Sequence, residues 1–219
     1  MHRVQETEEG IDVVVRVLFV TAFIVIADQI SKFMIKGIDI PSIGISLKGM
    51  QLGSSIPVIG DFLRITFIEN PGMAFGIEVV DGKLFLTLFS IIASIGIMLY
   101  LYLMRSEKLL FRLSLALILG GAIGNLIDRT FYGVIYGESA LFHGKVVDFI
   151  DVDFFNIDLW GFYLTRFWVF NIADASVSIG VLMMLIFHRS FVDHEEQLPV
   201  VESTSTASPE SSTESTSSS

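Results

Sequence analysis

The chain has 219 residues, 52% of them hydrophobic, no cysteine and a formal net charge of −10. Without cysteine there is no disulfide framework, thiolate nucleophile or Cys-type metal site. His2, His143, His188 and His194 show no metal-ligand spacing, so neither a metal nor a cofactor is predicted. The negative balance argues against nucleic acid, which attracts basic surfaces. Six of the acidic residues lie in 193–219, where there is no Lys or Arg, so the charge belongs to the tail more than to a site.

A hydrocarbon core of about 30 Å takes roughly 20 helical residues to cross, and four apolar runs reach that length. The first, Val13–Ile35, follows the acidic Glu6-Thr7-Glu8-Glu9. It is longer than the core of roughly 7–15 residues in a cleaved signal peptide, so it reads as a retained span. In the connection that follows, about 36–83, Leu63, Ile65 and Phe67 alternate with Arg64 and Thr66, the period of a half-buried strand. Asn70-Pro71-Gly72 then makes a turn. The second run, Leu84–Met104, is joined to the third, Leu109–Ile127, by a link holding Arg105, Lys108 and Arg112, which places that link in the cytoplasm. A second outward connection, about 128–166, carries Asp148, Asp151, Asp153, Asp158 and Trp160 and suits a segment at headgroup level, with Trp168 just beyond it. The fourth run is Phe167–Phe187. Both termini then face the cytoplasm, in agreement with Arg16 and Arg189. Residues 191–219, Ser/Thr/Glu-rich from Ser203, have too little apolar surface to fold and form a disordered tail. The predicted fold is an all-α membrane protein of four transmembrane helices over 1–190, with a small outward-facing β-containing domain and loops.

Ionisable groups inside a span are costly and mark function. At 1.5 Å per residue, Asp28 lies about 22 Å along the first span and Asp174 about 10 Å below the outer edge of the fourth. Asp128 ends the third span at the outer surface, and Asn125 and Asn171 fall at similar levels. Three helices thus bring polar residues to one outer layer. Asp28 and Lys32, at i,i+4, share a face and can pair, either as a structural ion pair or to position a substrate region. Asp128–Arg129 reads as a charged helix end that ties down a loop. Asp174 has no basic neighbour on its span except Arg166 at the rim, which favours chemistry. Hydrolysis needs a base to activate water and an acid for the leaving amine, and two carboxylates sharing a proton fill both roles. Spacing alone leaves Asp128, Asp148, Asp151 and Asp153 open as the second carboxylate.

The blocks Asp28-Gln29-Ile30-Ser31-Lys32, Glu69-Asn70-Pro71-Gly72-Met73-Ala74-Phe75-Gly76, Gly121 to Arg129 (GAIGNLIDR), Val146-Val147-Asp148-Phe149 and Phe170-Asn171-Ile172-Ala173-Asp174 resemble the ordered motifs of the lipoprotein signal peptidases, the signal peptidase II family. The resemblance runs from about residue 13 to 187. It implies a bacterial inner-membrane aspartic endopeptidase with its active site toward the outer leaflet. Such an enzyme cuts diacylglyceryl-modified prolipoproteins just before the lipidated cysteine, and the cyclic peptide globomycin inhibits it. Carried over, Asp148 and Asp174 are the catalytic pair. Asp28, Lys32, Asn70, Gly72, Asn125, Asp128, Arg129, Asn171 and Ala173 are supporting or binding positions, and Asp151 and Asp153 are solvated neighbours. The partners implied are prolipoprotein and membrane lipid, with the enzyme a monomer. The strand around Leu63–Phe67 and the loop Asn70–Gly76 are expected to cradle the extended substrate by strand-like backbone pairing.

Three stretches are longer than the family pattern, Tyr132–Gly144, Asp151–Arg166 and Pro41–Gly60, and the tail is additional. Two readings from other classes compete. A small proton-coupled transporter would also hold intramembrane charges, but here they gather at one depth, and the inverted repeats many transporters carry are absent. A non-catalytic lipid-binding membrane protein would need no paired carboxylates.

Overall fold

The structure, a computed structural model, describes residues 2–41, 44–72, 82–153, 157–159, 162–164 and 169–192. Among the described residues five helices and seven strands follow in order: α1 (His2–Lys36), β1 (Gly37–Ile40), β2 (Ile45–Lys48), β3 (Ser55–Ile59), β4 (Leu63–Asn70), α2 (Gly82–Leu103), α3 (Leu109–Ile127), α4 (Gly133–Ile135), β5 (Val146–Val152), β6 (Ile157–Leu159), β7 (Phe162–Leu164) and α5 (Ile172–Val192). A π-helical turn, Asp128–Tyr132, joins α3 to α4.

Val14–Lys36, Gly82–Leu103 and the continuous stretch Leu109–Ile135 are long and apolar enough to cross a membrane, and Ile172–Phe187 is a shorter apolar helix. The residues of α1 sort by what they meet. Phe19, Phe23, Ile26, Ile30 and Met34 are exposed at three- and four-residue steps, whereas Val17, Thr21, Asp28 and Lys32 are buried. Large apolar side chains face outward while Thr21, Asp28 and Lys32 turn inward, the pattern of a helix whose solvent is lipid. On α2 the buried residues Thr87, Ser94 and Leu101 are seven apart, a single stripe turned toward α3.

Helix α3 is central and packs against α1, α2 and α5. Val17, Leu101, Leu115, Ala116 and Leu119 form the core between α1, α2 and α3. Hydrogen bonds from Thr21 Oγ1 to Ala116 O (2.9 Å) and from Ser176 Oγ to Leu117 O (2.8 Å) tie α1 and α5 to it. Close approach depends on glycine: a Cβ at Gly121 would lie 2.2 Å from Ala173 O and 2.6 Å from Val177 Cγ2. Gly121→Ala should therefore cost about 1–3 kcal/mol through overpacking, read as a lower Tm in detergent. Gly96→Ala, with nothing within 4 Å of the new Cβ, should be neutral or stabilising by up to about 1 kcal/mol. Equal Tm values for the two variants would show that the α3–α5 contact is not tight.

The predicted second and third helices are met nearly residue for residue. The fourth begins later, at Ile172 instead of Phe167. The physical reason is local. Phe170 bridges to Ile150 of β5, and Asn171 then caps the helix: Asp174 N–H donates to Asn171 Oδ1 (2.9 Å) while Asn171 N–H donates to Asp174 Oδ2 (3.3 Å). This is a reciprocal capping box. Asp174 accordingly sits in the first helical turn, not two turns below the helix end.

The predicted strand is β4, but it lies in the middle of an antiparallel sheet ordered β3-β4-β5. Both its edges are paired, so the expected strand-like docking of substrate along Leu63–Phe67 is overturned. The second outward connection supplies the unforeseen partner, β5, in register with Asn70 opposite Val146 and Ile68 opposite Asp148. Phe67, Tyr132, Val147 and Phe149 pack with Phe33 and Ile35 to seat the sheet on the end of α1. The tail, the segment Met73–Gly76 and both tryptophans fall outside the described residues.

Candidate active site

The site is assembled where the ends of α1 and α3 meet β5 and the start of α5. Lys32 Nζ lies 2.8 Å from Asp28 Oδ2, 2.8 Å from Asp128 Oδ2 and 3.0 Å from Asn125 Oδ1. Three protons meet three acceptors, so the ammonium is fully satisfied. The side chains of Lys32, Asp28 and Asp128 are all 0% exposed. Asp128 ends its helix as predicted but is buried instead of standing at the surface, because β5 and the loop after α4 close over it. Gly144 is so close that a Cβ there would lie 2.1 Å from Asp128 O.

Each carboxylate of this triad also holds one backbone N–H from another element. Asp28 Oδ1 accepts from Ala173 N–H at 2.9 Å. Asp128 Oδ2 accepts from Val147 N–H at 3.1 Å. The residue after Ala173 is Asp174 and the residue after Val147 is Asp148. One buried lysine, through two carboxylates, therefore grips the chain immediately before each candidate aspartate.

Asn171 joins the two. Its Nδ2 donates to Asp148 Oδ1 at 2.7 Å, while its Oδ1 and backbone N–H form the capping box with Asp174. Asn125 Nδ2 donates to Asp174 Oδ1 at 2.8 Å, and Asn70 Nδ2 donates to Asp148 Oδ2 at 3.1 Å. Burial, and then the nearby charge of Asp174, push Asp148 up to about 7, against the smaller opposing pull of the Asn70 and Asn171 amides. Asn70 is set by a tight turn in which Gly72 N–H donates to Asn70 Oδ1 at 2.8 Å. Gly72 has φ +82, and a Cβ there would meet Leu86 Cδ1 at 2.5 Å, so both the conformation and the space favour glycine. Arg129 is half-buried, and the charges acting on it are Asp174 first, then Asp128 and Asp148.

All eleven predicted site residues thus gather in one region. Asp151 departs from its expected solvated state: it is buried on β5 and accepts a 2.6 Å hydrogen bond from Thr66 Oγ1. Two members of the network were not anticipated. Gln29 Nε2 donates to Asp28 Oδ2, Gly124 O and Asp128 Oδ1, and Gln29 Oε1 accepts from the buried Tyr132 hydroxyl. A glutamine beside Asp28 in an otherwise apolar run was the available signal.

A family model described as signal peptidase (SPase) II matches residues 20–190. The chain belongs to the signal peptidase II family. Similar proteins include the lipoprotein signal peptidase of Pelodictyon phaeoclathratiforme, 38% identical over 141 residues covering 64% of this chain and 76% of the relative. The lipoprotein signal peptidase of Porphyromonas gingivalis is 35% identical, over 80% of this chain and 85% of its own. A solved bacterial membrane enzyme superposes with a TM-score of 0.61 at 30% identity, over 84% of this chain and 94% of that one. Signal peptidase II proteins are lipoprotein-processing membrane proteases, and the apolar helices here fit that class.

Proposed function

We propose that the chain is an intramembrane aspartic endopeptidase that removes the signal peptide from diacylglyceryl-modified prolipoproteins, cutting before the lipidated cysteine. The observation that carries this reading is the pairing of Asp148 and Asp174 through Asn171. Burial and the neighbouring charge raise Asp148 to about 7, so that the pair holds a proton up to about neutral pH. The ionised carboxylate takes a proton from water as the water oxygen attacks the scissile carbonyl carbon. The protonated carboxyl gives its proton to the leaving nitrogen as the C–N bond breaks. The products are a new signal-peptide carboxyl group and the free amine of the lipidated cysteine.

Lys32, Asp28 and Asp128 act at one remove, fixing the backbone before each aspartate, Asn125 holds the Asp174 carboxylate directly, and Arg129, Asn70 and Gly72 line the approach. In this reading α5 completes a fourth crossing, both termini face the cytoplasm, the pair opens toward the outer leaflet of the bacterial inner membrane, and the enzyme works as a monomer that globomycin inhibits. The spans' exposed apolar faces support a substrate helix lying beside them in lipid.

The test is a gel-shift cleavage assay in detergent, with diacylglyceryl-modified and unmodified prolipoprotein side by side. Only the modified form should be cut, and globomycin should stop the reaction. A protein that leaves the lipidated substrate intact is not the proposed peptidase. The same assay run against pH should show kcat falling about tenfold per pH unit above about pH 7, as the shared proton is lost. A profile flat to about pH 9 would remove Asp148 from the role of acid.

A further inference from the structure

Behind the site, on the other side of β4, lies a second buried ionic cluster that the reaction does not use. Glu69 is held by two lysines, one on each oxygen: Lys36 Nζ pairs with Oε1, and Lys145 Nζ lies 2.7 Å from Oε2. The Lys36 and Glu69 side chains are only 6% and 9% exposed. Lys36 also pairs with Glu138 at 2.7 Å and sits 4.1 Å above the Tyr136 ring, whose hydroxyl donates to Gly37 O at 2.7 Å. Burial by itself would raise Glu69, but Lys145 and Lys36 outweigh it and hold the carboxylate below its usual range.

The cluster pins together the end of α1, the loop after α4, the lead-in to β5 and β4. The next residue on β4 is Asn70, whose amide donates to Asp148, and Lys145 immediately precedes β5, which carries Asp148. We propose that Glu69 is a positioning residue: clamped between Lys36 and Lys145, it fixes β4 so that the Asn70 amide stays on Asp148. This rests on the peptidase reading above.

The test is Glu69→Gln in the full-length protein, assayed on lipidated prolipoprotein across pH. The amide keeps the shape and loses the charge. Its kcat should fall about tenfold with KM little changed. The alkaline limb should move to higher pH, because the Asn70 hydrogen bond that opposes the raised state of Asp148 is weakened. Lys145→Met, which removes one of the two grips at a partly exposed position, should shift both readouts in the same direction by less, and it carries the test if Glu69→Gln does not fold. Glu138→Gln should leave kcat and the limb where they are. If the Glu69 and Lys145 variants lower Tm but keep wild-type kcat and pH limb, the cluster is only a brace and the proposal is overturned. A wild type that cuts nothing overturns the peptidase reading instead, and the positioning role with it.

Discussion

Replacing Asp148 or Asp174 by Asn should leave a folded protein that cuts lipidated prolipoprotein at least about a thousandfold more slowly, the scale of a lost general acid or base. Asn keeps the size of Asp and most of its hydrogen bonds. At 148 it sets an NH2 against one of two donors, Asn70 Nδ2 or Asn171 Nδ2, a cost of about 1 kcal/mol. At 174 the side chain still has an oxygen for the capping box. Wild type and Asp148→Asn should also differ in how Tm depends on pH. Burial raises Asp148 to about 7, so the folded chain keeps a proton that the unfolded chain releases near pH 3.9. The stability tied to that proton is complete below about pH 3.9 and is lost as pH rises through about 7. Asp148→Asn removes that loss, so its Tm should fall less than that of wild type between about pH 4 and 7. Near-normal turnover in either variant would mean that the two aspartates are not the acid–base pair.

Lys32→Met should have the largest effect on stability. It leaves Asp28 and Asp128 buried at 0% exposure with no counter-charge, and breaking one side of a buried ion pair costs about 3–5 kcal/mol. Cleavage should drop with it, because the grips on Ala173 and Val147 depend on carboxylates held in place. The decisive comparison is the neutral triple variant Asp28→Asn, Lys32→Met, Asp128→Asn. With no stranded charge it should recover part of the Tm lost by Lys32→Met, though not the activity. If Lys32→Met alone unfolds like wild type, the triad is not the frame of the site.

How much of this could be read beforehand depended on the range of the interaction. Asp28 and Lys32 are four apart on one helix, so their pairing followed from spacing. The first three spans followed from apolar runs, and the β4 strand from its alternation. What was not legible required knowing which distant segment lies opposite. The strand Val146–Val152 has apolar residues on both faces around Asp148 and Asp151, and it declares itself only when paired with β4. The same pairing explains why Asp151 is buried under Thr66 and, with β3 on the other side, why β4 has no free edge along Leu63–Thr66. The start of α5 was misplaced because apolar Phe167–Phe170 looks helical, while the capping box at Asn171 and Asp174 sets the boundary. That box also gives Asp174 a structural duty that its isolation on the span had hidden.

The bond from Ala173 N–H to Asp28 links residues 145 positions apart, which bears on the order of events during synthesis. Lys32 and Asp28 are four apart on α1 and lie 2.8 Å from each other in the folded chain, so as α1 enters the bilayer the two can pair as a neutral unit without any other helix. The second aspartate of the proposed pair, Asp174, lies on α5, the last helix in chain order among the described residues. In the proposed mechanism a growing chain therefore holds half of the hydrolytic pair until α5 is in place.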